Sequence, residues 1–164
     1  MQGHDPLTTI FQHNLWANLR LLESCTELTE EQLARDLLGT YASVRDTLQH
    51  IVTSERSYFA RISTGQRYDH PDETTPMSVA EMIAMARETG SGLVEWATKV
   101  NADDTVVVDW EGRPRAVPKS ILMVQAIDHA ADHRSQIKTI LTHLGIEPPD
   151  LQGWAFFDEM DGSA

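Results

Sequence analysis

Four long segments of this sequence place apolar residues three and four positions apart, which is the spacing of one face of an α-helix. They cover residues 5–24, 43–65, 78–97 and 119–144. Each amphipathic segment has to bury its apolar stripe against another element, and little of the remaining sequence has the alternation of a β-strand. We therefore predict an all-α fold, a four-helix bundle.

Capping residues mark the ends of these segments. Asp5 precedes Pro6, which suits the first helical position, and Ser43 and Ser78 are placed as N-caps of the second and third segments. Gly145 follows the fourth segment, where a residue in the left-handed conformation often ends a helix. The four segments are therefore predicted as separate helices.

The connections between the helices differ in length. A short acidic turn at 29–32 follows the first helix, whereas 66–77, which contains two prolines, is predicted as a long exposed crossover between the second and third. The β-branched stretch 105–110 and the turn residues 111–114 predict a small hairpin or an extended loop before the fourth helix. Aromatic residues in the tail, 150–164, predict that its first part docks on the bundle. These unequal connections favour a crossover topology.

Length, charge and cysteine content limit the kind of protein. The 164 residues fit a single domain, 1–164, with one core. The net charge of -12, from 25 acidic and 13 basic residues, argues against nucleic acid or an anionic membrane as partner. We see neither a signal peptide nor an apolar run long enough to span a bilayer, and the lone Cys25 excludes an internal disulfide. We expect a soluble, cytoplasmic protein.

Two histidines on the fourth helix are the clearest candidates for chemistry. His129 and His133 are four residues apart, so their side chains lie about 40° apart around the helix and can share one metal ion. Their face also carries Leu122, Ala126 and Ile137, which indicates that it points toward the core. Two histidines satisfied by hydrogen bonds fit this pattern as well as two metal ligands do.

The zinc-protease motifs built on paired histidines do not match this pair. The first motif needs Glu directly after the first histidine, where Ala130 stands. The inverted motif needs Glu directly before the second histidine, where the shorter Asp132 stands. A metalloprotease is therefore disfavoured.

An open metal site generally has three protein ligands, and His50 is the best candidate for the third. On the second helix His50 lies beside the apolar stripe among small polar residues, which could line a cleft. His13 on the first helix is the runner-up. His4, His70 and His143 are less suitable, because they are terminal, in a loop and off the paired face, respectively. A His50 that only faces solvent is the alternative.

Three charged residues are candidates for supporting these histidines. Glu55 falls within the apolar stripe of the second helix and needs a partner, for which Arg134, Asn14 or a histidine N–H are suitable. A buried bridge that ties helices together is favoured over a catalytic base. Asp46 precedes His50 by four residues and could orient its ring, although a solvated carboxylate is the simpler interpretation.

Three stretches together resemble the DinB-like superfamily of metal-dependent four-helix-bundle proteins. They are HNLWANLRLL at 13–22, LQHI at 48–51 followed by Glu55, and HAADHRSQ at 129–136 followed by Leu144 and Gly145. The resemblance covers nearly the whole chain in order and spacing. It implies a bundle with a long crossover and a divalent ion bound by His50, His129 and His133.

The resemblance also implies homodimers and, in relatives with known reactions, thiol chemistry such as bacillithiol or mycothiol S-transfer and maleylpyruvate isomerisation. We therefore expect a thiol S-transferase-like enzyme with a small-molecule substrate. Three imidazoles suit zinc or nickel first, then copper or iron, and the ion would convert a low-molecular-weight thiol into a thiolate. The alternatives are a metal-dependent hydrolase with Glu55 or Asp46 as base, and a non-enzymatic metal-binding stress protein.

Overall fold

The computed structural model describes residues 5–68 and 75–162, and it is mostly helical. Two strands, β1 (Thr105–Trp110) and β2 (Arg113–Pro118), form an antiparallel hairpin. The helices are α1 (Pro6–Ser24), α2 (Glu30–Leu33), α3 (Val44–Thr64), α4 (Val79–Trp96), α5 (Lys119–His143) and α6 (Gly153–Asp161). The long helices α1, α3, α4 and α5 confirm the predicted bundle, and the hairpin confirms the predicted strands. The short helices α2 and α6 are additional to the prediction, because the sequence predicts a turn at 29–32 and only a docked segment in the tail.

The helix ends are where the capping residues predict them. The Asp5 carboxylate accepts the backbone N–H groups of Leu7 and Thr8, and Ser78 forms a capping box with Glu81. Gly145 has a φ of 73° directly after Leu144, the C-cap residue of α5, which confirms the predicted left-handed residue.

The helices pack in an order that differs from their order along the chain. α1 packs mainly against α4, and α3 packs against both α4 and α5. α4 therefore lies between α1 and α3, as the predicted crossover requires. Of the predicted crossover segment 66–77, residues 69–74 lie outside the described residues.

Two glycines let α4 approach its neighbours closely. A Cβ atom on Gly90 would lie 2.5 Å from Leu15 Cδ1 on α1, and one on Gly92 would overlap the Phe59 ring on α3. At either position an added Cβ atom would force the neighbouring side chain to shift. These positions therefore hold α4 against both neighbouring helices.

A buried polar layer separates two apolar clusters in the bundle. The first cluster includes Leu21, Leu48 and Ile137, and the second includes Phe11 and Ile62. Between them every long helix contributes polar side chains with at most 6% exposure, namely Asn14, Asn18, Glu55, Thr89 and Arg134. A polar layer of this kind requires internal hydrogen bonds, because unpaired polar groups in a core are costly.

The chain after α5 docks on α1. The buried Phe156 of α6 contacts the rings of Trp16 and His13, with ring centres 5.5 and 5.6 Å away. This contact confirms the predicted docking of the tail. In the part of the chain that the structure describes, no helix has the length and hydropathy needed to cross a membrane. Cys25 is fully buried, and burial raises the pKa of its thiol to about 11.

Candidate metal centre

Three histidines from two helices converge beside the bundle core. His50 lies on α3, and His129 and His133 lie on α5, one helical turn apart. One ring nitrogen from each lies within 4.8 Å of the others. His129 Nε2 and His50 Nε2 are 2.9 Å apart, close to the separation of about 3.3 Å that two imidazole nitrogens have on a tetrahedral zinc ion with bonds of about 2.0–2.1 Å. The donor set and its spacing therefore fit a divalent ion.

Hydrogen bonding orients the ring of His133. Its Nδ1 lies 3.3 Å from the side-chain oxygen of Gln136, which also accepts the backbone N–H of Tyr41. Because an amide oxygen only accepts, the proton of His133 is on Nδ1, and Nε2 is the nitrogen free to bind a metal. The Gln136 amide nitrogen in turn donates to Asp132. Gln136 therefore connects the loop before α3 to the histidine pair on α5.

Two tyrosines pack against the histidines. Tyr41 stacks on His50 with ring centres 4.3 Å apart and meets His133 edge-on at 5.0 Å. Tyr58 contacts His129 edge-on at 5.9 Å. Neither tyrosine is predicted from the sequence, because neither has a fixed spacing from the paired histidines along the chain.

The electrostatics keep one imidazole neutral. Burial, followed by the neighbouring His133 and His50 rings, lowers the pKa of His129 to about 4, and Asp132 opposes this shift. An imidazole must be unprotonated to bind a metal ion. His129 is therefore a ready ligand at neutral pH.

A cleft of about 1070 Å³ runs from the histidine cluster along α3. Its floor is the α3 face that carries His50, Ser54, Ser57 and Arg61, and its walls come from the β1–β2 hairpin and the start of α5. Tyr41 and Tyr58 line it beside the histidines. This volume suits a small-molecule ligand, for which pockets of about 300–1,000 Å³ are usual.

The charged residues predicted to support the histidines lie in two different places. Asp46 lines the cleft near His50, and its carboxylate accepts a hydrogen bond from the Ser43 hydroxyl at 2.7 Å. Glu55 and Arg134 belong instead to the buried polar layer. The Asn14 and Asn18 amides donate to Glu55, each at 2.9 Å.

Arg134 completes this layer by donating to the side-chain oxygens of the same two asparagines, Asn14 and Asn18, at 2.7 and 2.6 Å. Thr89 on α4 donates a further hydrogen bond to Glu55. The predicted buried bridge between helices is therefore present, with Asn14 as one of the expected partners. The contributions of Asn18 and Thr89 were not anticipated.

The two other histidines that the structure describes are engaged elsewhere. His13 Nε2 lies 2.9 Å from the backbone oxygen of Leu151, so it helps to dock the chain after α5. His143 Nδ1 lies 3.1 Å from the oxygen of Thr139 on its own helix. The structure does not bring either of them to the histidine cluster. His4 and His70 lie outside the described residues.

Two solved structures share this fold. A DinB-like protein from Bacillus cereus ATCC 10987 superposes with a TM-score of 0.62 at 20% identity, over 85% of this chain and 91% of its own. A DinB-like protein from Bacillus subtilis gives a TM-score of 0.61 at 15% identity, over 90% of this chain and 99% of its own. At such low identities the likeness supports the fold alone.

A family assignment comes from the sequence as a whole. No curated protein matches the chain. The DinB family model, in contrast, matches residues 1–160, which include every element from α1 to β2 and α5. The protein therefore belongs to the DinB family.

Proposed function

We propose that this protein binds one divalent ion, zinc or nickel, through His50, His129 and His133 and uses it in thiol-linked transfer on a small molecule. The observation that carries the proposal is the convergence of three ring nitrogens within 4.8 Å. The cleft beside His50 supports a reactive site, because it gives a small molecule access to the cluster. Family membership supports metal binding, and the thiol is the finer part of the proposal.

The chain's own residues prepare the site. Gln136 holds the proton of His133 on Nδ1, and burial keeps His129 unprotonated, so both rings present a lone pair. Tyr41 covers one face of His50 and limits its rotation. His50, His129 and His133 would hold the ion, which would lower the pKa of a thiol bound to it and so favour the nucleophilic thiolate.

Metal content and thiol binding test this proposal together. Elemental analysis of protein without a histidine tag is expected to find about one ion per chain, and the double variant His129→Ala/His133→Ala is expected to lose it. His13→Ala and His143→Ala are matched controls, because these rings bond to Leu151 and Thr139 instead. Calorimetric titration with 2-mercaptoethanol is expected to show binding only to the metal-loaded protein. Equal binding to the metal-free protein would refute the thiol part.

A metal-dependent hydrolase is the second candidate, because Asp46 lines the same cleft as His50. A carboxylate near a metal-bound water could act as its base. Glu55 is a poorer base, since Asn14, Asn18 and Thr89 already occupy its oxygens. Ester hydrolysis that requires the ion and is lost in Asp46→Asn would favour this candidate. Metal binding without either activity would favour a non-enzymatic stress protein.

We also propose that the protein forms a homodimer, and we propose neither nucleic acid nor membrane as a partner. Trp154, Phe157 and Met160 of α6 support an interface, since they are 77, 42 and 55% exposed at a spacing of three residues. Light scattering at several protein concentrations tests it. A monomer at all concentrations would exclude the dimer.

A further inference from the structure

Two arginines lie at the end of the cleft away from the histidines. Arg61 lies in the last turn of α3, and Arg67 follows the end of that helix. Both line the same cleft as His50. In a chain with 25 acidic and only 13 basic residues, two adjacent guanidinium groups in one cleft are an unusual concentration of positive charge.

The two positive charges are close enough to oppose each other. Burial, followed by the charge of Arg67, lowers the pKa of Arg61, and Tyr58 acts in the opposite direction. Within residues 5–68 and 75–162, neither guanidinium has a carboxylate within 4.0 Å. Arg61 donates instead to the Ser57 backbone and hydroxyl oxygens. An anion between these arginines would relieve their repulsion.

Among residues 5–68 and 75–162, two carboxylates line the cleft, those of Asp46 and Asp109. Asp46 is in the first turn of α3 and is bonded to Ser43, at the opposite end of the helix from Arg61. Asp109 is on the hairpin wall. The cleft therefore combines a metal-binding cluster at one end with a positively charged group at the other.

Helix geometry gives the distance between the two ends. His50, Ser54, Ser57 and Arg61 follow one another at steps of four, three and four residues, so they share one face of α3. The Arg61 side chain folds back toward Ser57, which is seven residues from His50, or about 10 Å along the helix axis. A ligand that reaches both ends must carry its two binding groups about this far apart.

We propose that Arg61 and Arg67 bind a carboxylate of the substrate whose other end reaches the histidine cluster. This inference rests on the proposed function, because the metal-binding group is taken to be the thiol. Arginine suits this role, since its planar guanidinium binds carboxylates through two parallel hydrogen bonds. The substrate class is thus a small anionic thiol about the size of a tripeptide, with its carboxylate about 10 Å from the sulfur.

Three probes separate the carboxylate from the thiol. Reduced glutathione has both groups, glutathione diethyl ester has the thiol with its carboxylates blocked, and S-methylglutathione has the carboxylates with the thiol blocked. Each is titrated by calorimetry into the full-length protein with and without zinc. The variant Arg61→Gln/Arg67→Gln is compared with Arg113→Gln/Arg115→Gln, which removes the same charge from exposed positions of β2.

The Arg61→Gln/Arg67→Gln variant is expected to bind reduced glutathione at least about tenfold more weakly than the wild type, and the β2 variant is expected to bind it normally. The diester is expected to bind the wild type as weakly as glutathione binds the Arg61/Arg67 variant. Equal binding of glutathione to both variants, or no binding of any probe that carries a carboxylate, would overturn the proposal.

S-methylglutathione distinguishes a failure of the carboxylate proposal from a failure of the proposed function. If it binds metal-free protein and the binding requires Arg61 and Arg67, the carboxylate site stands even when zinc adds nothing to thiol binding. The opposite outcome is that zinc strengthens the binding of the probes that carry a free thiol while both variants bind S-methylglutathione equally well. In that case the thiol proposal stands and the carboxylate site is refuted.

Discussion

Gln136 stands three residues after His133 on α5, and its side-chain oxygen lies 3.3 Å from His133 Nδ1. The same oxygen accepts the backbone N–H of Tyr41, whose ring stacks on His50. One amide therefore orients His133 on α5 and positions the tyrosine that stacks on His50 of α3. Groups that orient metal-bound histidines in this way affect affinity although they never touch the ion.

Replacing Gln136 by Leu is expected to weaken metal binding by about 10- to 100-fold, because His133 loses the acceptor that holds its proton on Nδ1. Competition titration with a chromogenic chelator measures the affinity. Gln136→Glu keeps an acceptor at this position and is expected to stay closer to the wild type than Gln136→Leu. If the leucine variant binds as tightly as the wild type, Gln136 has no part in orienting the ligand.

Glu55 has hydrogen-bond partners in both of its protonation states. When it is ionised, Asn14, Asn18 and Thr89 donate to it. When it is protonated, its O–H can donate to the Thr89 hydroxyl, whose own proton then goes to the backbone oxygen of Met85, 2.9 Å away. Burial raises the pKa of Glu55 to about 7, against the opposing effects of Thr89, Asn14, Arg134 and Asn18.

This raised pKa predicts that Glu55 makes the metal-free protein less stable as the pH rises. Between about pH 4.5 and 7 the folded state retains a proton that the unfolded state has lost, so the free energy of unfolding falls across this window. The full effect is on the order of 3 kcal/mol. Glu55→Gln is expected to remove this contribution.

Urea unfolding with a chelator at pH 5 and pH 7.5 measures the effect as a difference between wild type and variant. The difference is needed because His129 acts in the opposite direction, since its lowered pKa stabilises the fold as the pH rises from about 4 to 6.5. Glu88→Gln, at an exposed position of α4, controls for the loss of one charge. If the free energies of unfolding of the wild type and Glu55→Gln differ by the same amount at both pH values, Glu55 is already ionised at pH 5.

Local signals predicted most of the fold. Asp5 and Ser78 cap helices through backbone contacts two or three residues away, so neighbouring residues alone determine where α1 and α4 begin. The pairing of His129 with His133 is equally local, because the helix repeat alone places both on one face. Whether His50 meets this pair depends instead on how α3 packs against α5, and the sequence alone does not determine that packing.

Long-range packing explains what the sequence did not reveal. Tyr41 reaches His50 through a loop whose position depends on Gln136, 95 residues further along the chain. The cleft is lined jointly by α3, the β1–β2 hairpin and the start of α5, and Arg61 lines it from the last turn of α3. No spacing rule connects such residues. The docked helix α6 was missed for the same reason, since its contacts are with α1.

The close approach of α4 predicts the effect of adding a single methyl group. Gly90→Ala and Gly92→Ala are each expected to lower the free energy of unfolding by about 1–3 kcal/mol, because the new Cβ atoms would meet Leu15 and Phe59. This cost outweighs the helix-propensity gain of about 1 kcal/mol. Gly153→Ala is the control, since nothing lies within 4 Å of its Cβ position. Stabilisation of all three variants in urea unfolding would show that the helices can separate without cost.

Metal loading predicts a change in thermal stability that depends on the histidine cluster. An ion that binds only the folded state stabilises it by about 2.7 kcal/mol when its free concentration is 100 times the dissociation constant. For a chain of this size that corresponds to a rise of roughly 5–10 °C in Tm. Differential scanning calorimetry is expected to show this rise for the wild type on addition of zinc, and its reversal by a chelator.

The same experiment on single histidine variants shows where the ion binds. His133→Ala removes one of the three clustered ring nitrogens, so its Tm is expected to respond little to zinc, whereas His143→Ala is expected to respond like the wild type because its ring bonds within α5. His50→Ala is the most informative variant, since it alone removes a ligand from α3. A zinc-induced rise in Tm that persists in His50→Ala would mean that His129 and His133 bind the ion without His50. The proposed metal site shared by α3 and α5 would then be wrong.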